Sequence, residues 1–170
     1  MRKINEIIIH ASATKKGWWK GKGVEAIRDE FRRWHKAKGW SDIGYHFVID
    51  TDGSTAKGRR VANIGAHVKG RNRNSIGICL VGGFGGKKDG AFSDNFTAKQ
   101  DAALRNLIGR LQADYPTIDI VSGHNEYANK ACPCFNVSDW LTVQPVVAEP
   151  SGLLQAIMQI ILKLLSGGKR

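Results

Sequence analysis

The chain has few cysteines, few acidic residues and no long uninterrupted apolar run. Its three cysteines are an odd number, which argues against a disulfide framework and leaves at least one thiol free. The first residues are charged and lead into no long apolar segment, so we expect no signal peptide and synthesis in the cytosol. The longest apolar run, Leu153 to Leu165, is too short to span a bilayer, so we expect no transmembrane segment.

The shortage of acidic residues gives the chain a net charge of +11, and this charge is unevenly distributed. The first 73 residues carry 17 basic and 7 acidic side chains, which is nearly all of the excess. Such asymmetry indicates an anionic partner, but charge alone does not choose among nucleic acid, an anionic membrane surface and an acidic wall polymer. No helix-turn-helix or RNA-binding signature is present, so we expect no specific nucleic-acid binding.

Apolar patterning predicts an α/β protein with a central mixed β-sheet flanked by helices. The spacing of Val24, Ile27, Phe31 and Trp34 is typical of one face of a helix, and Thr97 with the glutamine three residues later is a capping-box signature. The predicted strands cover residues 6–10, 45–50, 54–59, 75–81 and 118–121, and the predicted helices run from 24 to 39 and from 97 to about 116.

The C-terminal part of the sequence differs from the rest. The sequence predicts one domain over residues 1–141 and a proline-containing linker over residues 142–152. It predicts a cationic tail that forms an amphipathic helix over residues 153–170. Gln155, Gln159 and Lys163 fall on one narrow face of that helix, and aliphatic residues occupy the rest. Two interpretations stay open: the tail enters an anionic membrane interface, or it docks on its own domain or on another copy.

Two segments at strand ends carry the residues best suited to chemistry. His10 ends the first predicted strand, and His124, Lys130 and Cys132 follow the last one. Imidazole and thiolate are the ligands that zinc prefers, and catalytic zinc takes three protein ligands. The alternative is that both histidines are hydrogen-bonded core residues and the cysteine a small buried one; the spacing alone does not decide between them.

Four motifs in order along residues 7–140 carry a resemblance to a known family. They are IIIHASAT from Ile7, GWSDIGYHFVIDTDG from Gly39, NSIGICLVGG from Asn74 and HNEYANKACPCF from His124. Together they resemble the phage-lysozyme type of N-acetylmuramoyl-L-alanine amidase, in the superfamily of zinc amidases and peptidoglycan recognition proteins. The resemblance implies the zinc amidase fold and an endolysin that cuts the bond between N-acetylmuramic acid and L-alanine in bacterial peptidoglycan.

The resemblance also assigns roles to individual residues. It implies one Zn²⁺ held by His10, His124 and Cys132, with Tyr45 and Lys130 supporting catalysis. Zinc supplies hydroxide at neutral pH, and a cationic side chain stabilises the oxyanion that forms on the amide carbonyl.

Two further residues near these motifs have less certain roles. His67 lies in a glycine-flanked loop, and we expect it to line the substrate groove. Cys134 offers a rival thiol for the metal, but Cys132 matches the motif.

The expected partners follow from this activity. They are peptidoglycan and, through the tail, an anionic bacterial membrane or lipopolysaccharide. The protein would be made in the host cytoplasm and would act on the cell wall after release. Two alternatives are a non-catalytic wall-binding module on the same fold and an amidase that also regulates the phage RNA polymerase.

Overall fold

The computed structural model describes residues 2–143, and their five strands form one mixed sheet. The strands are β1 (Glu6–Ala11), β2 (Phe47–Ile49), β3 (Thr55–Lys57), β4 (Ser75–Leu80) and β5 (Ile120–Gly123). Their order is β3-β2-β4-β1-β5. The β1 strand is parallel to both β4 and β5, and only the β2–β3 pair is antiparallel. The predicted central mixed sheet is therefore confirmed.

Four α-helices accompany the sheet in the described part of the chain. They are α1 (Val24–Ala37), α2 (Phe92–Asn95), α3 (Ala98–Asp114) and α4 (Val137–Thr142). The two long helices, α1 and α3, were predicted from their apolar spacing. The short helices α2 and α4 were not, because one or two turns do not establish a helical period.

The capping box predicted at the start of α3 is present. Thr97 Oγ1 accepts a hydrogen bond from the Gln100 N–H at 3.1 Å, and Gln100 Oε1 accepts one from the Thr97 N–H at 3.0 Å. The Gln100 side chain is fully buried and also donates to the Val81 carbonyl at 3.0 Å. One residue thus caps the helix and ties it to the end of β4.

The turn predicted at Asp52-Gly53 joins β2 to β3. Gly53 has a φ of +86°, a conformation that side chains with a Cβ rarely adopt, and its N–H donates to the Asp50 carbonyl at 2.9 Å. The turn fixes the register of the antiparallel pair, in which Val48 lies opposite Ala56.

One face of the sheet is an apolar core. Ile7 and Ile9 of β1 and Ile76 and Ile78 of β4 are fully buried in a cluster that also contains Leu104 of α3. Because neighbouring side chains of a strand point to opposite faces, Glu6, Ile8 and His10 of β1 face away from this core.

The opposite face is divided between a helix and a polar region. Ile27 and Phe31 of α1 pack against Val48 of β2 and Cys79 of β4. This second apolar cluster contains no residue of β1 or β5. The polar side chains on this face of β1 and β5 are therefore not covered by the apolar contacts of α1.

The predicted tail, residues 153–170, and all but the first two residues of the predicted linker, 142–152, lie outside the described residues. Within residues 2–143, no helix combines the length and the apolar character needed to cross a membrane.

Candidate active site

The pairing of β1 with β5 brings two histidines together. Ile9 lies opposite Gly123, so His10 and His124 are the next residues along two parallel neighbouring strands. Their ring centroids are 4.8 Å apart. Although 114 positions separate them in the sequence, the sheet register places them side by side.

A cysteine from the loop before α4 completes the group. The described pairing between β1 and β5 ends at Ile9, so Ala11 has no partner in β5. Its N–H donates instead to Cys132 Sγ at 3.2 Å. The same sulfur lies 3.8 Å from His10 Nδ1. His10, His124 and Cys132 each offer one ligand atom, and these atoms lie within 4.8 Å of one another.

Burial sets the protonation of these three groups. It lowers the pKa of His10 well below its usual value and, together with the charge of Lys130, lowers the pKa of His124. Both imidazoles are thus neutral at pH 7 and offer a lone pair. Burial raises the pKa of the Cys132 thiol to about 11, so a cation that binds there at neutral pH must displace the thiol proton.

Tyr45 and Lys130 stand at the edge of the group. The Tyr45 ring lies 5.1 Å from that of His10, and burial raises the pKa of its phenol well above the usual value, so the hydroxyl stays a hydrogen-bond donor. Lys130 is exposed, and its charge is close enough to lower the pKa of both His10 and His124. The structure therefore places a phenol and an ammonium beside the three ligand atoms.

His67 lies behind His10. It is only 9 % exposed, and its Nδ1 is 3.1 Å from His10 Nε2. The predicted contact between His67 and substrate stays a prediction, but the observed partner of this ring is another side chain of the site.

A polar cluster around Glu6 was missed in the sequence. Its buried carboxylate accepts hydrogen bonds from Ser122 Oγ at 2.7 Å and Tyr127 OH at 2.5 Å, and it forms an ion pair with Arg71 at 3.0 Å. Glu6 shares a sheet face with His10, so the cluster supports the floor of the site and the turn after His124. The signal that could have found it is the position of Glu6, a carboxylate directly before three consecutive isoleucines of a buried strand.

The rival thiol of Cys134 belongs to the other side of the sheet. It is 3 % exposed, packs in the cluster that contains Phe96 and Phe135, and donates from Sγ to the Gly83 carbonyl at 3.3 Å. Among the described residues, the group able to hold a metal contains Cys132 and not Cys134.

The family follows from the sequence of residues 1–135, which matches a family model described as N-acetylmuramoyl-L-alanine amidase. The chain belongs to this family. The amidase is 43 % identical over 146 residues to the endolysin of Escherichia phage T7, a match that covers 86 % of this chain and 91 % of that endolysin. The predicted resemblance to phage amidases is confirmed, and the chain is an enzyme rather than a non-catalytic module on the same fold.

Solved structures extend the likeness to the fold. The amidase LysC from Clostridium intestinale has 26 % sequence identity and a TM-score of 0.65, over 84 % of this chain and 88 % of LysC. Drosophila PGRP-LB has 25 % identity and a TM-score of 0.68, over 88 % of each chain. The predicted zinc amidase fold is thus shared with both a bacterial amidase and an insect recognition protein.

Proposed function

We propose that the amidase holds one zinc ion on His10, His124 and Cys132 and hydrolyses the amide bond between N-acetylmuramic acid and L-alanine in bacterial peptidoglycan. The observation that carries this proposal is the convergence of one thiol and two imidazoles from three separate segments, with ligand atoms within 4.8 Å of one another. The family description and the name of the phage relative support the reaction and a role as an endolysin in host lysis.

The donor set fits zinc. Around a tetrahedral zinc, with Zn–N near 2.0–2.1 Å and Zn–S near 2.3 Å, one nitrogen and one sulfur ligand are separated by about 3.5–3.6 Å. The separation of 3.8 Å between His10 Nδ1 and Cys132 Sγ exceeds this value by only about 0.2–0.3 Å. Three protein ligands leave one tetrahedral position for water or substrate, as in catalytic rather than structural zinc sites.

The side chains around the metal position have defined tasks in amide hydrolysis. When bound, zinc polarises the amide carbonyl and lowers the pKa of water from about 15.7 to about 7. The Lys130 ammonium, whose charge acts on both His10 and His124, would stabilise the negative charge that develops on the amide oxygen. The Tyr45 phenol, which burial keeps protonated, donates a hydrogen bond to the water or to the same oxyanion. Cys132 would hold the metal as a thiolate and the two histidines as neutral imidazoles, each through its unprotonated nitrogen.

The setting of this reaction is the bacterial cell wall. The excess positive charge of the first 73 residues favours approach to anionic wall polymers. As an endolysin the protein is made in the host cytoplasm and meets peptidoglycan after its release. The alternative in which the amidase also regulates the phage RNA polymerase stays an untested alternative.

Digestion of purified peptidoglycan tests the reaction. We expect free stem peptides and intact glycan strands in the mass spectrum of the products. Removing the metal with a chelator should stop the release of peptides, and adding zinc alone should restore it. Cut sugar chains would contradict the amidase reaction. Full activity after complete metal removal would contradict only the zinc dependence and would leave the reaction itself standing.

We also propose that the tail, residues 153–170, interacts with anionic bacterial membranes or with lipopolysaccharide. The support is its amphipathic sequence with cationic residues such as Lys163 and Arg170. Deleting residues 152–170 should abolish leakage of dye from anionic lipid vesicles and leave hydrolysis of purified peptidoglycan intact. The full-length variant Ile160→Lys, which places a charge on the apolar face of the helix predicted from the sequence, should behave like the deletion. Unchanged leakage from either variant would discard membrane insertion.

A further inference from the structure

The ring of His67 is held in a narrow slot behind the proposed zinc position. A Cβ built on Gly77 of β4 would lie 2.7 Å from the ring, and one built on Gly65 would lie 2.5 Å from it. The backbone N–H of His67 donates to Asn72 Oδ1 at 2.8 Å. The two glycines therefore leave room for the ring only within this slot, and the hydrogen bond holds the backbone that carries it.

A chain of hydrogen bonds runs through this ring to His10. Ser75 Oγ donates to the Arg71 carbonyl at 2.9 Å and lies 3.4 Å from His67 Nε2. Since the serine hydrogen is used by the carbonyl, Ser75 Oγ is the acceptor and His67 Nε2–H the donor. A neutral imidazole has one N–H, so His67 Nδ1 is left as an acceptor. It faces His10 Nε2 at 3.1 Å, which must then carry the hydrogen.

We infer that His67 is a positioning residue that holds His10 in the tautomer protonated at Nε2, so that the lone pair on Nδ1 faces the zinc position. His10 Nδ1 is the atom that lies 3.8 Å from Cys132 Sγ, on the side where the other ligands converge. This inference rests on the proposed function. It assigns His67 a role different from the substrate contact predicted from the sequence.

Ser75 selects the tautomer at the far end of the chain. If His67 carried its hydrogen on Nδ1, His10 Nε2 would have to accept, and the hydrogen of His10 would occupy the nitrogen that faces Cys132. The Arg71 carbonyl disfavours this arrangement because it accepts the hydrogen of Ser75, so that His67 Nε2 would face the Ser75 oxygen without a hydrogen between them. The Arg71 carbonyl thus acts through Ser75 and His67 to favour the tautomer in which His10 Nδ1 carries no hydrogen.

Zinc affinity of two His67 variants tests the inference. His67→Phe keeps a ring in the slot and removes the hydrogen bond, and we expect zinc to bind about 10–100-fold more weakly in a chelator competition. His67→Asn retains an acceptor oxygen near the position of Nδ1 and should recover most of the affinity. The matched control is His35→Phe, another buried histidine, whose Nδ1 accepts from the Gly44 N–H and makes no bond to His10. That control should bind zinc like the parent protein.

The tautomers themselves provide a second measurement that does not depend on the folding of a variant. In ¹⁵N-labelled protein loaded with zinc, correlation of ring nitrogens with ring protons should show His10 and His67 both protonated at Nε2. A zinc-bound His10 protonated at Nδ1, or zinc affinity of His67→Phe equal to the parent, would overturn the inference. Failure of the unmodified protein to bind zinc would instead overturn the proposed metal site, so the two failures are distinguishable.

Discussion

Replacing Cys132 with serine should remove the zinc and lower amidase activity by at least about 10³-fold, because the residues of a catalytic metal site act as a unit. The serine hydroxyl is a harder and much less acidic donor than a thiol, so it replaces the thiolate poorly as a zinc ligand. Two histidines alone leave the metal with too few protein ligands. The measurement is metal content after dialysis, together with the rate of stem-peptide release from peptidoglycan.

The chain provides a matched control two residues away. Cys134→Ser makes the same exchange in a side chain that packs in the apolar core, and its hydroxyl can still donate to the Gly83 carbonyl. We expect Cys134→Ser to retain one zinc and its activity, with a modest loss of stability from the buried hydroxyl. Loss of zinc in Cys134→Ser and retention in Cys132→Ser would show that the wrong thiol had been assigned.

Replacing Lys130 with methionine should lower kcat by about 10²–10³-fold while the protein keeps its zinc. Methionine has a similar length but no charge, so the change removes stabilisation of the oxyanion and leaves the three ligands in place. The substitution also removes the positive charge that lowers the pKa of His124, so the pKa of that imidazole should rise.

The control for Lys130 is a second exposed lysine, on α3, the helix that packs against the sheet face opposite to His10. Lys99→Met, in the first turn of α3, loses the same charge outside the group of ligand atoms and should leave kcat unchanged. Equal activity of Lys130→Met and the parent would return Lys130 to the role of a solvated surface residue. A rise in KM with unchanged kcat would assign it to substrate binding instead of the transition state.

Local patterns predicted the elements that carry the site. The β-branched run that forms β1 and the capping box at Thr97 depend on neighbours in the sequence, and both were found within a residue or two of their predicted bounds. The candidate ligands came from residue type, strand ends and the resemblance, since His10 and Cys132 are 122 positions apart and no local period relates them.

The supporting residues of the site could not be predicted in the same way. Glu6 meets Arg71 from 65 positions away, and His67 meets His10 from 57 positions away. These contacts form because β1 pairs with β4 and the loop before β4 packs against the face of β1 that carries Glu6 and His10. This arrangement is a property of the tertiary fold, and no single segment of the sequence specifies it. The sequence therefore indicated the proposed ligands, but not the side chains that contact them from other segments of the chain.

X-ray absorption at the zinc edge of the zinc-loaded protein tests the central claim most directly. The account predicts one zinc per chain with a single sulfur neighbour at about 2.3 Å and nitrogen or oxygen neighbours at about 2.0–2.1 Å. The sulfur signal should vanish from the residual metal in Cys132→Ser and persist in Cys134→Ser. Two sulfur neighbours, none, or no stoichiometric zinc in the unmodified protein would contradict it.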